Sequence, residues 1–145
     1  MCVNIQASLL KIYYEKGERR SDDWCGMSVM SQASPQESNF VMVNDRAALD
    51  ALVERSHRAP VILFKHSLTC PISAHAYRQM KQMGAEVALI VIQQARDVSR
   101  AVETVTGIRH ESPQAIILRN GRPAWSASHY EITADAVTQA ARANE

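Results

Sequence analysis

Cysteine is scarce in this chain of 145 residues, which has only Cys2, Cys25 and Cys70, an odd number at wide spacing. Such a set argues against a framework of disulfides and against a zinc site built from paired Cys-x-x-Cys motifs. Long apolar runs are also missing, because the longest, residues 61–64 and 87–92, are strand-sized. A transmembrane helix needs about 20 apolar residues. We therefore expect no membrane partner. We also expect at least one cysteine to remain outside any disulfide, with a thiol that is either reactive or inert.

An excess of charge of one sign is lacking as well. Sixteen basic and fifteen acidic residues give a net charge of +1, and neither sign forms a long block. Binding to a polyanion needs a concentrated basic surface, so no nucleic-acid partner is expected. The first ten residues also lack the basic segment, apolar segment and small-residue cleavage site of a secretory signal. The expected location is therefore the cytoplasm.

The length of the chain fits one domain, and a hydrophobic content of 46% is enough for one core. Residues 1–38 differ from the rest, because much of this segment is charged or is rich in Ser, Gln and Pro, as linkers are. We expect a disordered tail, or an extension from a start codon upstream of Met27 or Met30; a folded, functional extension is the alternative. The domain then covers residues 39–145.

From Phe40 onward the apolar pattern becomes regular and predicts elements in the order β-α-β-α-β-α-β-β-α. Residues 61–64, and residues 87–92 within a predicted strand over 86–92, are apolar without alternation, as strands covered on both faces are. Asn120-Gly121 between two strand-like runs predicts a hairpin. Alternating units need parallel strands with right-handed crossovers, and the hairpin adds an antiparallel edge. This order predicts an α/β fold of the thioredoxin type, with a mixed central sheet and helices on both faces.

Two glycines are predicted to end helices. A helix over residues 72–83 is expected to stop at Gly84, and a helix over residues 97–106 is expected to stop at Gly107. Glycine suits the residue after a helix because it adopts the left-handed conformation without steric cost.

Cys70 stands in the run Thr69-Cys70-Pro71-Ile72-Ser73, between a buried strand and a helix. Pro71 suits the first helical position, because it has no amide hydrogen to leave unpaired. Cys70 is therefore predicted to be the N-cap, where the free amides of the first turn and the helix dipole favour the thiolate. A thiolate is the attacking species in disulfide exchange. The alternative is that Cys70 is a small, buried, inert residue.

Ser73 occupies the position at which two-cysteine oxidoreductases carry their resolving cysteine, three residues after the first. A serine can donate a hydrogen bond to the thiolate but cannot close an internal disulfide. We therefore expect Cys70 to be a single catalytic thiol that depends on an external second thiol. The candidates for stabilising its thiolate are Ser73, His66, Thr69 and Pro71.

Lys65 and His66 lie just upstream, where either could approach the sulfur and lower its pKa. We expect Lys65 to finish the strand and point to solvent, whereas for His66 both interpretations stay open. A metal site made of His66, Cys70 and His75 is not expected, because no fourth ligand is present and the spacing matches no common site.

Pro113, preceded by Ser112, comes directly before the fourth strand. In thioredoxin-fold proteins the equivalent proline is cis, packs beside the active cysteine and exposes the backbone of the preceding residue to an extended substrate. We predict a cis bond here, and a trans proline at the start of a strand is the alternative. Ser112 and Pro113 are thus the substrate-binding candidates.

Three segments closely resemble the monothiol bacilliredoxin family, the YtxJ type of small thioredoxin-like proteins: residues 64–73 (FKHSLTCPIS), 109–114 (RHESPQ) and 125–133 (WSASHYEIT). The resemblance extends from about Phe40 to the C-terminus. It implies that Cys70 takes over bacillithiol from a mixed disulfide on a client protein and is then regenerated by a second thiol. Bacillithiol would be a co-substrate, S-thiolated proteins the partners, and no cofactor would stay bound. Leu68 departs from the small polar residue expected in the family loop.

Two further functions stay open. Monothiol glutaredoxins, which carry iron-sulfur clusters or metals, share a lone cysteine on the same fold, but Pro71-Ile72 replaces the Gly-Phe of their CGFS loop. The other possibility is a non-catalytic interaction module that kept the fold and lost the activity.

Overall fold

The computed structural model describes residues 38–145, and the tail predicted over residues 1–38 lies outside them except for Ser38. The described part follows the predicted element order, with one short 3-10 helix added before the last α-helix. No helix in residues 38–145 is long and apolar enough to span a membrane. The elements are β1 (Phe40–Met42), α1 (Arg46–Arg55), β2 (Val61–His66), α2 (Pro71–Lys81), β3 (Val87–Val91), α3 (Arg96–Thr106), β4 (Gln114–Arg119), β5 (Arg122–Ser128), the 3-10 helix (His129–Glu131) and α4 (Ala134–Arg142).

The five strands form one sheet in the order β1-β3-β2-β4-β5. The β1–β3 and β3–β2 pairs are parallel, whereas the β2–β4 and β4–β5 pairs are antiparallel. Strands β2 and β3 are buried along their whole length, as their unbroken apolar runs predict. The mixed sheet with helices on both faces confirms the predicted fold class.

Side chains along β2 alternate between two apolar layers, because successive residues of a strand point to opposite faces. Leu63 belongs to the layer that the sheet forms with α1 and α3, the α1/α3 face. Phe64 belongs to the layer formed with α2 and α4, the α2/α4 face. The same alternation puts Lys65 on the α1/α3 face and His66 on the α2/α4 face.

The two predicted glycine stops have different outcomes. Gly107 follows α3 with a left-handed φ of 69°, as predicted. Gly84 does not end α2, so that prediction is wrong: the cap is Gln82 in a right-handed conformation, and Gly84 has no positive φ. The carbonyls at this end find a side-chain donor instead, since Asn39 Nδ2 donates to the carbonyls of Met80, Met83 and Ala85.

The predicted hairpin is present between β4 and β5. Asn120 and Gly121 have φ values of 54° and 72°, which are the left-handed conformations that a two-residue turn of this kind needs. The turn is anchored to the end of α1, because the amide of Gly121 donates to Ser56 Oγ at 2.8 Å.

Candidate active site

Cys70 is the N-cap residue of α2, as predicted, with extended backbone angles and Pro71 at the first helical position. It is the only cysteine in residues 38–145 and is partly exposed, so a disulfide can approach its sulfur from outside. Because Pro71 has no N–H, the first amides that the helix offers to the sulfur are those of Ile72 and Ser73.

The pKa of Cys70 is lowered from its ordinary value. The backbone N–H of Ser73 is the main cause, partial desolvation opposes it, and the N–H of Ile72 and the Ser73 hydroxyl lower the pKa further. The Cys70 side chain makes no capping hydrogen bond of standard geometry. The thiolate is therefore stabilised by N–H and O–H dipoles that face it, at distances or angles outside those of a full cap.

Ser73 is fully buried and connects the sulfur to the preceding loop. Its Oγ accepts a hydrogen bond from the amide of Ser67 at 3.2 Å. A hydroxyl has one proton to donate, and since this contact uses an oxygen lone pair, the proton remains free to point at Cys70. Ser73 thus occupies the position of a resolving cysteine and acts as a donor there.

Gln93 holds the loop before Cys70, although the sequence did not single it out. Its Nε2 donates to Ser67 Oγ at 2.8 Å and to Thr69 Oγ1 at 3.4 Å, and its Oε1 accepts from the amide of Leu68 at 3.2 Å. The Thr69 hydroxyl therefore contacts Gln93 and Ser67, while the groups that lower the pKa of Cys70 lie in residues 72 and 73. Gln93 is a polar residue just after β3, which runs parallel beside β2. This position is the sequence signal that could have identified it.

His66 is buried rather than exposed, with only 7% of its surface accessible. Its ring centre lies 5.0 Å from that of Tyr77 and 6.0 Å from that of Phe64. Burial lowers the pKa of His66, and a backbone contact with Ser73 opposes this without making a standard hydrogen bond: Nδ1 has no partner in the part of the chain that the structure describes. The ring is therefore neutral near neutral pH, and it places no positive charge beside the thiol.

Lys65 does not point to solvent, so that prediction is wrong. Only 1% of its surface is exposed, and its Nζ donates to Gln114 Oε1 at 2.9 Å. Burial lowers the pKa of Lys65 to about 8, although the carboxylates of Glu103 and Glu111 act in the opposite direction. Lys65 pairs with Gln114 across β2 and β4, and this partner 49 residues away cannot be read from the local pattern.

The bond between Ser112 and Pro113 is cis, as predicted. Lys65 and Gln114 are paired across β2 and β4, so the next position along this register places Pro113 opposite His66, at the end of β2 that leads to Cys70. Pro113 is buried, and its carbonyl accepts from the amide of His129 at 3.2 Å. The hydroxyl of Ser112 is also buried, without a partner in residues 38–145.

His129 is a second residue that the sequence did not single out. It has a left-handed φ of 54°, which is uncommon for a residue other than glycine. In addition to the contact with Pro113, its Nδ1 lies 4.0 Å from Glu111 Oε2. His129 thus joins the end of β5 to residues 107–113, which we term the Pro113 loop.

No group of three or more His, Cys, Asp or Glu residues within residues 38–145 could hold a metal ion. A cavity of about 590 Å³ lies at the opposite edge of the sheet, before β2 and β3, where Arg55, Pro60 and Glu86 line it. The reactive groups lie instead at the carboxyl end of β2, on a partly open surface.

A mixed five-stranded sheet, a cysteine at the start of α2 and a cis proline before β4 define a protein of the thioredoxin-like class. A solved protein assigned as an oxidoreductase with a thioredoxin fold is 31% identical, with a TM-score of 0.64 over 70% of this chain and 92% of its own. The thioredoxin NaTrxh of Nicotiana alata has a TM-score of 0.60 at 11% identity over 78% and 98% of the two chains. Fasciola hepatica thioredoxin has 0.57 at 9% identity over 72% and 98%.

The family model described as monothiol bacilliredoxin matches residues 42–137, which is more than half of the chain. The protein belongs to the monothiol bacilliredoxin family. The family and the fold together assign it a thiol redox role.

Proposed function

We propose that this protein removes bacillithiol, a low-molecular-weight thiol, from mixed disulfides on client proteins, with Cys70 as its single catalytic thiol. One observation carries the proposal: a partly exposed cysteine with a lowered pKa caps α2, and Ser73 stands where an internal resolving cysteine would be. A thiol in this position attacks disulfides readily but forms its own disulfide only with an external partner.

In the first step the Cys70 thiolate attacks the bacillithiol sulfur of the mixed disulfide. A bond between Cys70 and bacillithiol forms as the bond between client and bacillithiol breaks, and the client leaves as a thiolate that takes a proton from water. In the second step a free bacillithiol thiolate attacks the bacillithiol sulfur of the adduct. Cys70 leaves as a thiolate, and bacillithiol disulfide carries away the oxidising equivalents. No bound cofactor takes part.

The neighbouring residues have distinct proposed roles. The Ser73 amide and hydroxyl stabilise the Cys70 thiolate, both as attacking and as leaving group. Pro71 leaves the amides of residues 72 and 73 as the first donors, while Thr69 acts through the shape of the loop. The backbone of Ser112, beside the cis Pro113, binds the client in an extended conformation, as an added strand would.

The proposed partners are S-thiolated proteins and the low-molecular-weight thiol, with no nucleic acid and no membrane. The proposed location is the cytoplasm, where thiol systems keep a lone cysteine reduced.

The test uses the full chain and one client protein with a single cysteine, prepared in S-bacillithiolated and S-glutathionylated forms. Wild type is expected to release the client thiol and to carry a bacillithiol adduct on Cys70, detected by mass spectrometry of the peptide. Cys70→Ser is expected to release none. The matched control is the double variant Cys2→Ser, Cys25→Ser, which should keep the wild-type rate.

Two results would contradict the proposal in different ways. A Cys70→Ser protein as active as wild type would remove Cys70 from the mechanism. Equal rates on the two thiolated forms of the client would leave the exchange chemistry in place and refute bacillithiol as the preferred thiol.

A further inference from the structure

We infer that Lys65 is a positioning residue. Through Gln114 it fixes the Pro113 loop in the position at which a bound client lies against the Cys70 sulfur. This inference rests on the proposed function, because it assigns the Pro113 loop the task of binding the client. It concerns the α1/α3 face of β2, whereas the thiol lies on the α2/α4 side.

A chain of two hydrogen bonds connects Lys65 to the loop. Lys65 Nζ donates to Gln114 Oε1 at 2.9 Å, and Gln114 Nε2 donates to the carbonyl of Arg109 at 3.0 Å. An ammonium has only donors, so the amide oxygen of Gln114 must face Lys65 and its nitrogen must face Arg109. The ammonium thereby determines which way the amide of Gln114 points, and the amide closes the loop at its base.

Strand β2 sets the position of both the Pro113 loop, which is proposed to bind the client, and Cys70. Gln114 follows Pro113 directly, so a fixed Gln114 side chain fixes the end of the Pro113 loop. Lys65 is followed in β2 by His66, and the strand then leads to Cys70. The loop has two other anchors: the amide of His129, in the 3-10 helix, donates to the Pro113 carbonyl, and Ser99 Oγ on α3 lies 3.4 Å from His110 Nδ1. The hydrogen bond at Arg109 itself comes from Gln114.

Stability does not explain a lysine at this place. Its burial disfavours the ammonium, and the charged groups that face it are Glu103 on α3 and His110 and Glu111 in the loop. Neither carboxylate forms an ion pair with Lys65 among the described residues. Burial, and then the charge of Lys65, lower the pKa of His110, so that neighbour is unfavourable. Apolar side chains of similar size at both position 65 and position 114 would avoid these costs. A buried charge that is unfavourable for folding and orients a functional loop has the pattern of a positioning residue.

The experiment compares Lys65→Met, Gln114→Met and the double variant in the full chain. The matched control is Lys81→Met, which removes an exposed lysine at the end of α2. The client is the S-bacillithiolated protein described above, and the small reference substrate is an aromatic disulfide, dithiodipyridine, which is too small to lie along the loop. Amide hydrogen exchange of residues 108–112 is measured on the same proteins and needs no client.

Losing a charge-assisted hydrogen bond predicts a rise in KM for the client of about tenfold in Lys65→Met. The rate with dithiodipyridine and the pH profile of Cys70 alkylation should stay within about twofold of wild type, because the amides that lower the pKa of Cys70 are on the other face. Amide hydrogen exchange in residues 108–112 should be faster than in the control. The double variant should have a KM for the client no higher than that of the more impaired single variant, since both residues act through one chain of contacts.

Several outcomes overturn the inference. Unchanged amide hydrogen exchange in residues 108–112 would show that Lys65 does not hold the loop, whatever the activity. An equal loss with client and dithiodipyridine, together with a shifted alkylation profile, would make Lys65 a determinant of thiol reactivity instead. If wild type is inactive on the client the proposed function fails, whereas an active wild type and an equally active Lys65→Met refute the inference alone.

Discussion

Two adjacent basic residues end β2, and they have different surroundings because they lie on opposite faces of the sheet. Lys65 and His66 are both buried, and burial lowers the pKa of both. Lys65 is hydrogen-bonded to Gln114 on the α1/α3 face, whereas His66 packs against Tyr77 on the α2/α4 face with its Nδ1 unpartnered in residues 38–145. The charged residue therefore lies away from the thiol, and the residue on the side of the thiol is neutral.

This difference separates reactivity from positioning. On the α2/α4 side the thiolate is stabilised by the amides and the hydroxyl of the first turn, which keep their dipoles at any pH. On the α1/α3 side an ionisable ammonium contacts the loop that is proposed to bind the client. Changes on one face should therefore alter thiol chemistry, and changes on the other should alter client binding and pH dependence.

The largest effect is expected for Ser73→Cys. Ser73 is fully buried three residues after Cys70, and cysteine is close to it in size, so the new thiol can attack an adduct on Cys70. After treatment with bacillithiol disulfide, mass spectrometry should show an internal disulfide in place of the adduct. Ser99→Cys, which adds a buried thiol on the α1/α3 face, is the control and should keep the adduct. A stable adduct in Ser73→Cys would contradict the prediction.

A smaller effect is expected for Ser73→Ala. The loss of one hydrogen bond to the thiolate should raise the pKa of Cys70 and slow its alkylation at neutral pH by about three- to tenfold. The amide of Ser67 also loses its acceptor, which should cost about 1–3 kcal/mol in the free energy of unfolding. The pH profile of alkylation with iodoacetamide, with Ser99→Ala as reference, checks the first part. An unchanged profile would leave the stabilisation to the backbone amides alone.

Lys65→Met should change how stability depends on pH. Because folding lowers the pKa of Lys65 from 10.5 to about 8, the unfolded chain keeps a proton between these values that the folded chain releases. Lys65 therefore makes the free energy of unfolding rise with pH across that window, and contributes no slope below it. Urea unfolding at several pH values should show wild type gaining stability relative to Lys65→Met above about pH 8. Parallel curves would mean that Lys65 has an ordinary pKa in the folded protein.

The smallest effect is expected for His66→Phe. Phenylalanine keeps the contact with Tyr77 and removes a buried nitrogen that has no partner in the described residues, so the free energy of unfolding should stay the same or rise slightly. The alkylation profile of Cys70 should shift less than in Ser73→Ala, since a neutral ring supplies no charge. A shift as large as that of Ser73→Ala would place His66 among the groups that stabilise the thiolate.

Features with a local cause could be predicted from the sequence. Pro71 at the first helical position marks Cys70 as the cap, and Asn120-Gly121 marks the hairpin, because each depends on backbone conformation within a few residues. The predicted element order agrees with the structure for the same reason. The cis bond before β4 is also present, but its prediction rests on the equivalent proline of thioredoxin-fold proteins and not on the local pattern.

What the sequence could not predict depends on partners distant in the chain. A lysine at the end of a strand is normally exposed, and only the pairing with Gln114 on β4 makes its burial possible. Gln93 lies after β3 and contacts a loop that follows β2, so its role appears only when the two strands are placed side by side. Which of two neighbouring basic residues faces the thiol likewise follows from the phase of a strand.

Because side chains alternate along a strand, the faces on which Lys65 and His66 lie depend on the number of residues that precede them in β2. Deleting or inserting one residue between Val61 and Lys65 would reverse the faces of everything that follows up to the loop. The ammonium would then point toward α2 and the thiol, while the imidazole would face Gln114, which needs a donor for its oxygen. A substitution in β2 changes one contact at a time. Inserting or deleting one residue would instead exchange the positions of the ammonium and the imidazole in a single step.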